Sequence, residues 1–75
     1  MSRTRIKVKE VAKAKGVSQA WLGRAANLSV ITIRLIYKNP YRKVAYDTLH
    51  KLAQVLEVKV EDLIEEVPEE KGEGN

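Results

Sequence analysis

Between Asp47 and Leu56 the chain reads DTLHKLAQVL, and Leu49, Leu52, Ala53 and Leu56 fall at i, i+3, i+4 and i+7 without exception. On an α-helix those positions share one stripe, whereas on a strand they would divide between two faces. The pattern therefore predicts an amphipathic helix from about Tyr46 or Asp47, where Asp47 can cap, to Leu56. An apolar stripe has to be covered. In 75 residues without cysteine, neither a disulfide nor a thiolate metal site supplements a thin core, so the cover must come from helix packing or a partner subunit.

Upstream, RIKVKEVAKAKG places Ile6 and Val8 two apart, then Val8, Val11 and Ala12 at helical spacing. With Lys13 and Lys15 in a last turn and Gly16 to stop it, this reads as an extended lead-in followed by a helix from about Val8 to Lys15. Ser18 is an N-cap candidate opening a second helix, Gln19 to Ala26, in which Gly23 and Ala25 allow a neighbouring helix close approach. Asn27 tolerates the left-handed conformation of a tight turn, Leu28 anchors it, and Ser29 is a second cap candidate, 11 residues after the first.

The segment that follows, SVITIRLIY from Ser29 to Tyr37, is rich in β-branched residues, and propensity alone would make it a strand. A strand there needs a partner, and no other run of comparable length and β-propensity exists in the chain. As a helix it puts Ile33 and Ile36 on one face, and packing readily overrides a penalty of a few tenths of a kcal/mol per residue. Lys38-Asn-Pro-Tyr-Arg-Lys43 is then a loop, because Pro40 disfavours helix at Asn39 and cannot continue one. After a turn at Glu57 to Lys59, a last short helix is expected from Val60 to Glu65 with Leu63 and Ile64 inward. The expected domain is residues 1–67; residues 68–75, including EEKGEGN with no apolar side chain, form an acidic tail expected to be disordered.

The net charge of +4 conceals a division. Residues 1–60 carry 13 Lys/Arg against Glu10, Asp47 and Glu57, a balance of +10; residues 61–75 carry Lys71 against seven acids, a balance of −6. From Val11 to Tyr46 there is no acid, while Lys13, Lys15, Arg24, Arg34, Lys38, Arg42 and Lys43 all lie there. Such a block attracts polyanions. Catalysis finds no support: His50 is the only histidine, there is no glycine-rich phosphate loop, and Glu65-Glu66 and Glu69-Glu70 read as a solvated acidic tail. That tail has one conceivable use, competing with a polyanion for the basic face. No apolar run approaches the roughly 18 residues of a membrane span, and Met1-Ser-Arg-Thr-Arg lacks the apolar stretch of a signal peptide, so a cytoplasmic protein is expected.

The run QAWLGRAANLSVITIRLIYK, Gln19 to Lys38, resembles the helix-turn-helix of the phage Cro and repressor-like family, also called xenobiotic-response-element-type regulators. LHKLAQVLEVKVEDLIEE, Leu49 to Glu66, is similar to that family's fourth and fifth helices, so the resemblance covers roughly Ile6 to Glu66. It implies an all-α, five-helix bundle with room for a small pairing of residues near Ile6 and Val67. It also implies a double-stranded DNA-binding transcriptional regulator, of the repressor kind, acting as a homodimer in the cytoplasm at the nucleoid, with no cofactor and no metal.

By the same resemblance, Ser29, Val30, Ile31, Thr32 and Arg34 stand where base edges are read, Arg34 being suited to a bidentate pair with guanine. Ser18 and Gln19 stand where a phosphate is held, and the loop residues Lys38, Asn39, Tyr41, Arg42 and Lys43 are a phosphate clamp by composition. Arg3 and Arg5 add attraction or an arm. Trp21 is expected against the N-terminal lead-in or in a subunit interface. Val30 and Ile31 replace residues that are commonly polar in the family, which favours thymine-methyl contacts. Tyr37 replaces a Glu that often organises the following loop. The alternative reading is a protein-interaction module, such as an antitoxin, that uses the apolar Val30, Ile31 and Leu35 face.

Overall fold

The computed structural model describes residues 2–68. In chain order it contains strand β1 (Ser2–Ile6), helices α1 (Val8–Ala14), α2 (Gln19–Ala25), α3 (Val30–Lys38) and α4 (Tyr46–Leu56), a 3₁₀ turn (Val60–Leu63) and strand β2 (Ile64–Pro68). Each helix and the 3₁₀ turn send at least one fully buried side chain to a common core: Val8, Leu22, Ile33, Leu52, Leu56 and Leu63. The stripe of α4 is its spine, with Leu49, Leu52, Ala53 and Leu56 all buried.

Three helices end in the same way. Gly16, Asn27 and Glu57 adopt left-handed backbone, with φ of 74°, 58° and 59°. The next amide in each case reaches back five residues: Val17 N–H donates to the Ala12 carbonyl (3.0 Å), Leu28 N–H to Gly23 (2.8 Å) and Val58 N–H to Ala53 (3.0 Å). This closure satisfies carbonyls that the helix end leaves orphaned, and the apolar residue just beyond it folds back. Val17, Leu28 and Val58 accordingly pack against the core.

Among the described residues there are four α-helices, and the expected fifth is a 3₁₀ turn cut off at Leu63. The physical reason is competition from the chain's other end. Ile64 is extended (φ −136°, ψ 156°) and pairs antiparallel with Ile6, followed by Arg5 with Glu65, Thr4 with Glu66, Arg3 with Val67 and Ser2 with Pro68. The small terminal pairing thus exists, with Ile6 opposite Ile64 and not Val67. Pro68, assigned from sequence to the tail, ends β2; the remainder of that tail lies outside the described residues. The strand pair also uses the charge division: Arg5 Nη1 lies 3.6 Å from Glu65 Oε1, and Thr4 Oγ1 donates to Glu66 Oε2 at 3.3 Å. Glu65 and Glu66 are strand partners and not a merely solvated tail.

Helices α1 and α4 start at Val8 and Tyr46, as expected, but neither start is closed by a side chain. Ala45, not Asp47, occupies the N-cap of α4, and no side chain caps it; Asp47 lies in the first turn, where its charge opposes the positive helix end. Lys7 precedes α1 without a side-chain cap, and its amide donates to the Leu63 carbonyl at 2.7 Å. Helix one is therefore started by a tertiary bond.

Candidate nucleic-acid interface

Helices α2 and α3 are each opened by a serine. Ser18 Oγ accepts from the Trp21 amide at 3.1 Å, and Ser29 Oγ accepts from the Thr32 amide at 3.1 Å while sharing a 2.9 Å bond with Thr32 Oγ1. Each cap supplies one acceptor to an otherwise orphan donor. Between the helices, a Cβ on Gly23 would sit 3.2 Å from the Leu28 carbonyl oxygen and 3.5 Å from Ile33 Cγ1. Glycine here lets the turn and α3 close against α2.

That closure fixes the rotation of α3 about its axis. Ile33 and Ile36 point into the core at 1% and 4% exposure, while Val30, Ile31 and Leu35 stand out at 50%, 65% and 40%. Ser29 and Arg34 are exposed on the same outward side, and Thr32 is half-buried. Four of the five expected base-reading residues thus lie free of the core; Thr32 instead lines a cleft of about 200 Å³ with Leu35, Arg42, Lys43 and Thr48.

The residues expected to contact phosphate are exposed, and Arg42 and Lys43 lie beside Thr32 and Leu35 of α3. Ser18 and Gln19 are exposed at the start of α2, Lys38 at the end of α3, and Arg42 and Lys43 in the loop. Asn39 uses its Oδ1 to accept from the Tyr41 amide at 3.2 Å, which shapes the loop. Tyr41 is engaged in a way the sequence did not suggest: the Arg3 guanidinium lies over its ring, 3.9 Å from the centroid. The Ile6 amide also donates to the Pro40 carbonyl at 2.7 Å, so β1 braces the loop from behind. Where the family often has a Glu, Tyr37 packs half-buried against the core, and burial pushes its phenol pKa up.

Arg5 faces a different task. It donates to the Glu10 carboxylate and lies near Glu65, while Lys7 Nζ sits 4.0 Å from Glu65 Oε1. Donating to the Glu10 carboxylate raises the Arg5 pKa further. Burial opposes ionisation of Glu10, but its own backbone amide and the Arg5 guanidinium outweigh that and hold it below the usual carboxylate range. Trp21 is 43% exposed and belongs neither to the core nor to its packed flank. His50 is exposed beside Tyr46, ring centroids 6.0 Å apart. Among the described residues no group of three His, Cys, Asp or Glu is placed to hold a metal, and no helix is long and apolar enough to cross a membrane.

Two serine-capped helices joined by a left-handed turn, the second buried on one flank and open on the other beside basic side chains, define a helix-turn-helix DNA-binding domain. The chain belongs to the Cro/C1-type HTH DNA-binding domain family, whose model matches residues 1–69 and so takes in both strands as well as the helices. A comparison with curated proteins finds no match.

Proposed function

We propose that the protein is a sequence-specific transcriptional regulator that places α3 in the major groove of double-stranded DNA and acts as a repressor. The observation that carries this reading is the exposure of Val30, Ile31 and Arg34 on α3 while Ile33 and Ile36 of the same helix are buried. The apolar pair suits thymine methyls and Arg34 suits guanine O6 and N7. Ser29 and Thr32 sit beside them, and Ser18, Gln19, Lys38, Asn39, Arg42 and Lys43 hold the backbone on either side. Repression is the output that occupancy of a site delivers by itself. A helix of this length reads only about 4 base pairs, so the working unit is a homodimer on a roughly palindromic site with half-sites about 34 Å apart. The working domain runs through Pro68, where β2 ends, the following segment is an acidic appendage, and the protein works at the nucleoid in the cytoplasm.

Selection of bound duplexes from a random pool, followed by titration over a range of salt, tests the proposal. With about 4 phosphates held per subunit, the log–log slope for the dimer approaches −7. A slope flatter than about −2, or a pool without a consensus, counts decisively against it. Arg34→Ala should cost roughly 1–3 kcal/mol and relax the preference at one base position; an unchanged consensus removes Arg34 from the reading set.

A second reading is favoured by the same exposed Val30, Ile31 and Leu35: a protein-interaction module, in the manner of an antitoxin, that seats this strip in a partner's groove. Pull-downs with and without nuclease separate the two, because a protein partner survives digestion.

A further inference from the structure

The cations of β1 are not equivalent. Arg5 and Lys7 are neutralised by Glu10 and Glu65, whereas among the described residues no carboxylate pairs with Arg3. Its guanidinium rests on the Tyr41 ring instead. Stacking occupies the face of a planar guanidinium and leaves the in-plane N–H donors unspent, already oriented for a bidentate acceptor. Arg3, Thr4, Tyr41, Arg42 and Lys43 line one cleft of about 450 Å³, and among the described residues no acidic side chain lines it. Three cations, one of them Arg3 with unspent N–H donors, describe a receptor for a phosphate oxygen, while the Thr4 hydroxyl is already given to Glu66.

The position of the cleft identifies the source of that phosphate. Arg42, Lys43 and Val44 also line the cleft beside Thr32 and Leu35 of α3, so these three residues are the shared wall between α3 and the Arg3 cleft. A nucleic-acid backbone laid along α3 and crossing that wall arrives at Arg3.

We propose that Arg3, seated on Tyr41, contacts a DNA backbone phosphate and so extends the binding surface from the helix-turn-helix onto the terminal sheet. Tyr41 is then a positioning residue that acts through its ring and not through its hydroxyl. The inference rests on DNA binding through α3, and the experiment is arranged so that the two can fail separately.

A labelled duplex is titrated with the full chain and with Arg3→Gln, Arg3→Lys, Tyr41→Phe, Tyr41→Leu and, as a charge control on α4, Lys51→Gln, each checked by circular dichroism for an unchanged melt. Each phosphate contact contributes about −0.9 to the log–log salt slope, so the Arg3→Gln deficit should grow roughly eightfold per subunit between 1 M and 0.1 M salt. It should be the same for every duplex sequence. Arg3→Lys should keep the slope and lose affinity. Tyr41→Leu should weaken binding more than Tyr41→Phe does, and adding Tyr41→Leu to Arg3→Gln should cause no further loss. An Arg3→Gln slope matching that of Lys51→Gln overturns the proposal, as does Tyr41→Phe falling as far as Tyr41→Leu. If the unaltered chain binds no duplex, the reading of α3 falls and this inference with it; if it binds and Arg3→Gln alone is silent, only the inference falls.

Discussion

Ile31 and Ile33 are the same residue two positions apart on one helix, and truncating each to alanine should have opposite consequences. Ile33 is 1% exposed, so Ile33→Ala removes a fully covered side chain and leaves a void where α2 and α3 meet. Losses of this kind cost about 2–5 kcal/mol, against which alanine's better helix propensity returns only about 0.4. Ile31 is 65% exposed, so roughly a third of a burial worth about 1.5–3 kcal/mol is at stake, and the propensity gain cancels most of it. The net for Ile31→Ala lies within about 0.5 kcal/mol of zero. For a chain this small, with a urea m-value near 1 kcal/mol/M, the midpoint should fall by about 2–4 M for Ile33→Ala and by less than about 0.5 M for Ile31→Ala. A domain of this length holds only about 4–11 kcal/mol in total, so Ile33→Ala brings it close to unfolding at 37 °C. Duplex affinity, measured well below the melting range, should fall for Ile31→Ala despite its intact fold. Equal stability losses would refute the orientation of α3 about its axis. An unchanged affinity in Ile31→Ala would remove that side chain from the proposed interface.

Two further substitutions probe how the domain is held. Glu57→Gly should stabilise: left-handed backbone costs an L-residue about 1–2 kcal/mol, and glycine's larger unfolded entropy takes back about 0.5–1, so a melting temperature about 3–6 °C higher is expected; no rise would show that Glu57 makes a compensating contact. Glu10→Gln should flatten the acid limb of the stability profile. A carboxylate whose folded pKa is lowered binds fewer protons folded than unfolded. Its contribution is therefore complete above the ordinary carboxylate pKa of roughly 4 and disappears as the pH falls through the folded value. With Glu10 46% exposed the effect is under about 1 kcal/mol, read from urea melts between pH 5 and 3; identical limbs in parent and variant would show that the Arg5 pair contributes nothing.

What could be read from the chain was whatever a short stretch decides for itself. The α4 stripe, the two serine caps and the left-handed Asn27 are local signals, and each corresponds to a feature of the fold. Glu57 turns left-handed with no propensity for doing so, because carrying Val58 back onto the core outweighs the strain. Val60, Leu63 and Ile64 have helical spacing, but the pairing of Ile64 with Ile6, 58 positions away, ends the helical turn at Leu63. The outward side chains of α3 were legible because two inward isoleucines fix the remainder. Arg3 over Tyr41 was not, since the contact joins residues 38 apart that no local pattern links.

The same separation between local and distant causes bears on how the site would discriminate. On the proposed reading the basic side chains are indifferent to sequence: Lys38, Arg42, Lys43 and Arg3 would meet phosphates that every duplex offers. Their contribution is steep in salt and sets the rate of encounter. The apolar pair behaves in the opposite manner. Val30 and Ile31 have half to two-thirds of their surface still to bury, worth about 1–2 kcal/mol each where a thymine methyl meets them and much less where it does not. Over the two subunits of the proposed dimer that would amount to about 4–8 kcal/mol, within the usual gap of about 4–10 between specific and non-specific binding. A reading helix with one guanidinium and few hydrogen-bonding side chains can therefore still be selective. Because burial carries no counterions, its selectivity would persist at salt concentrations where most of its affinity has gone.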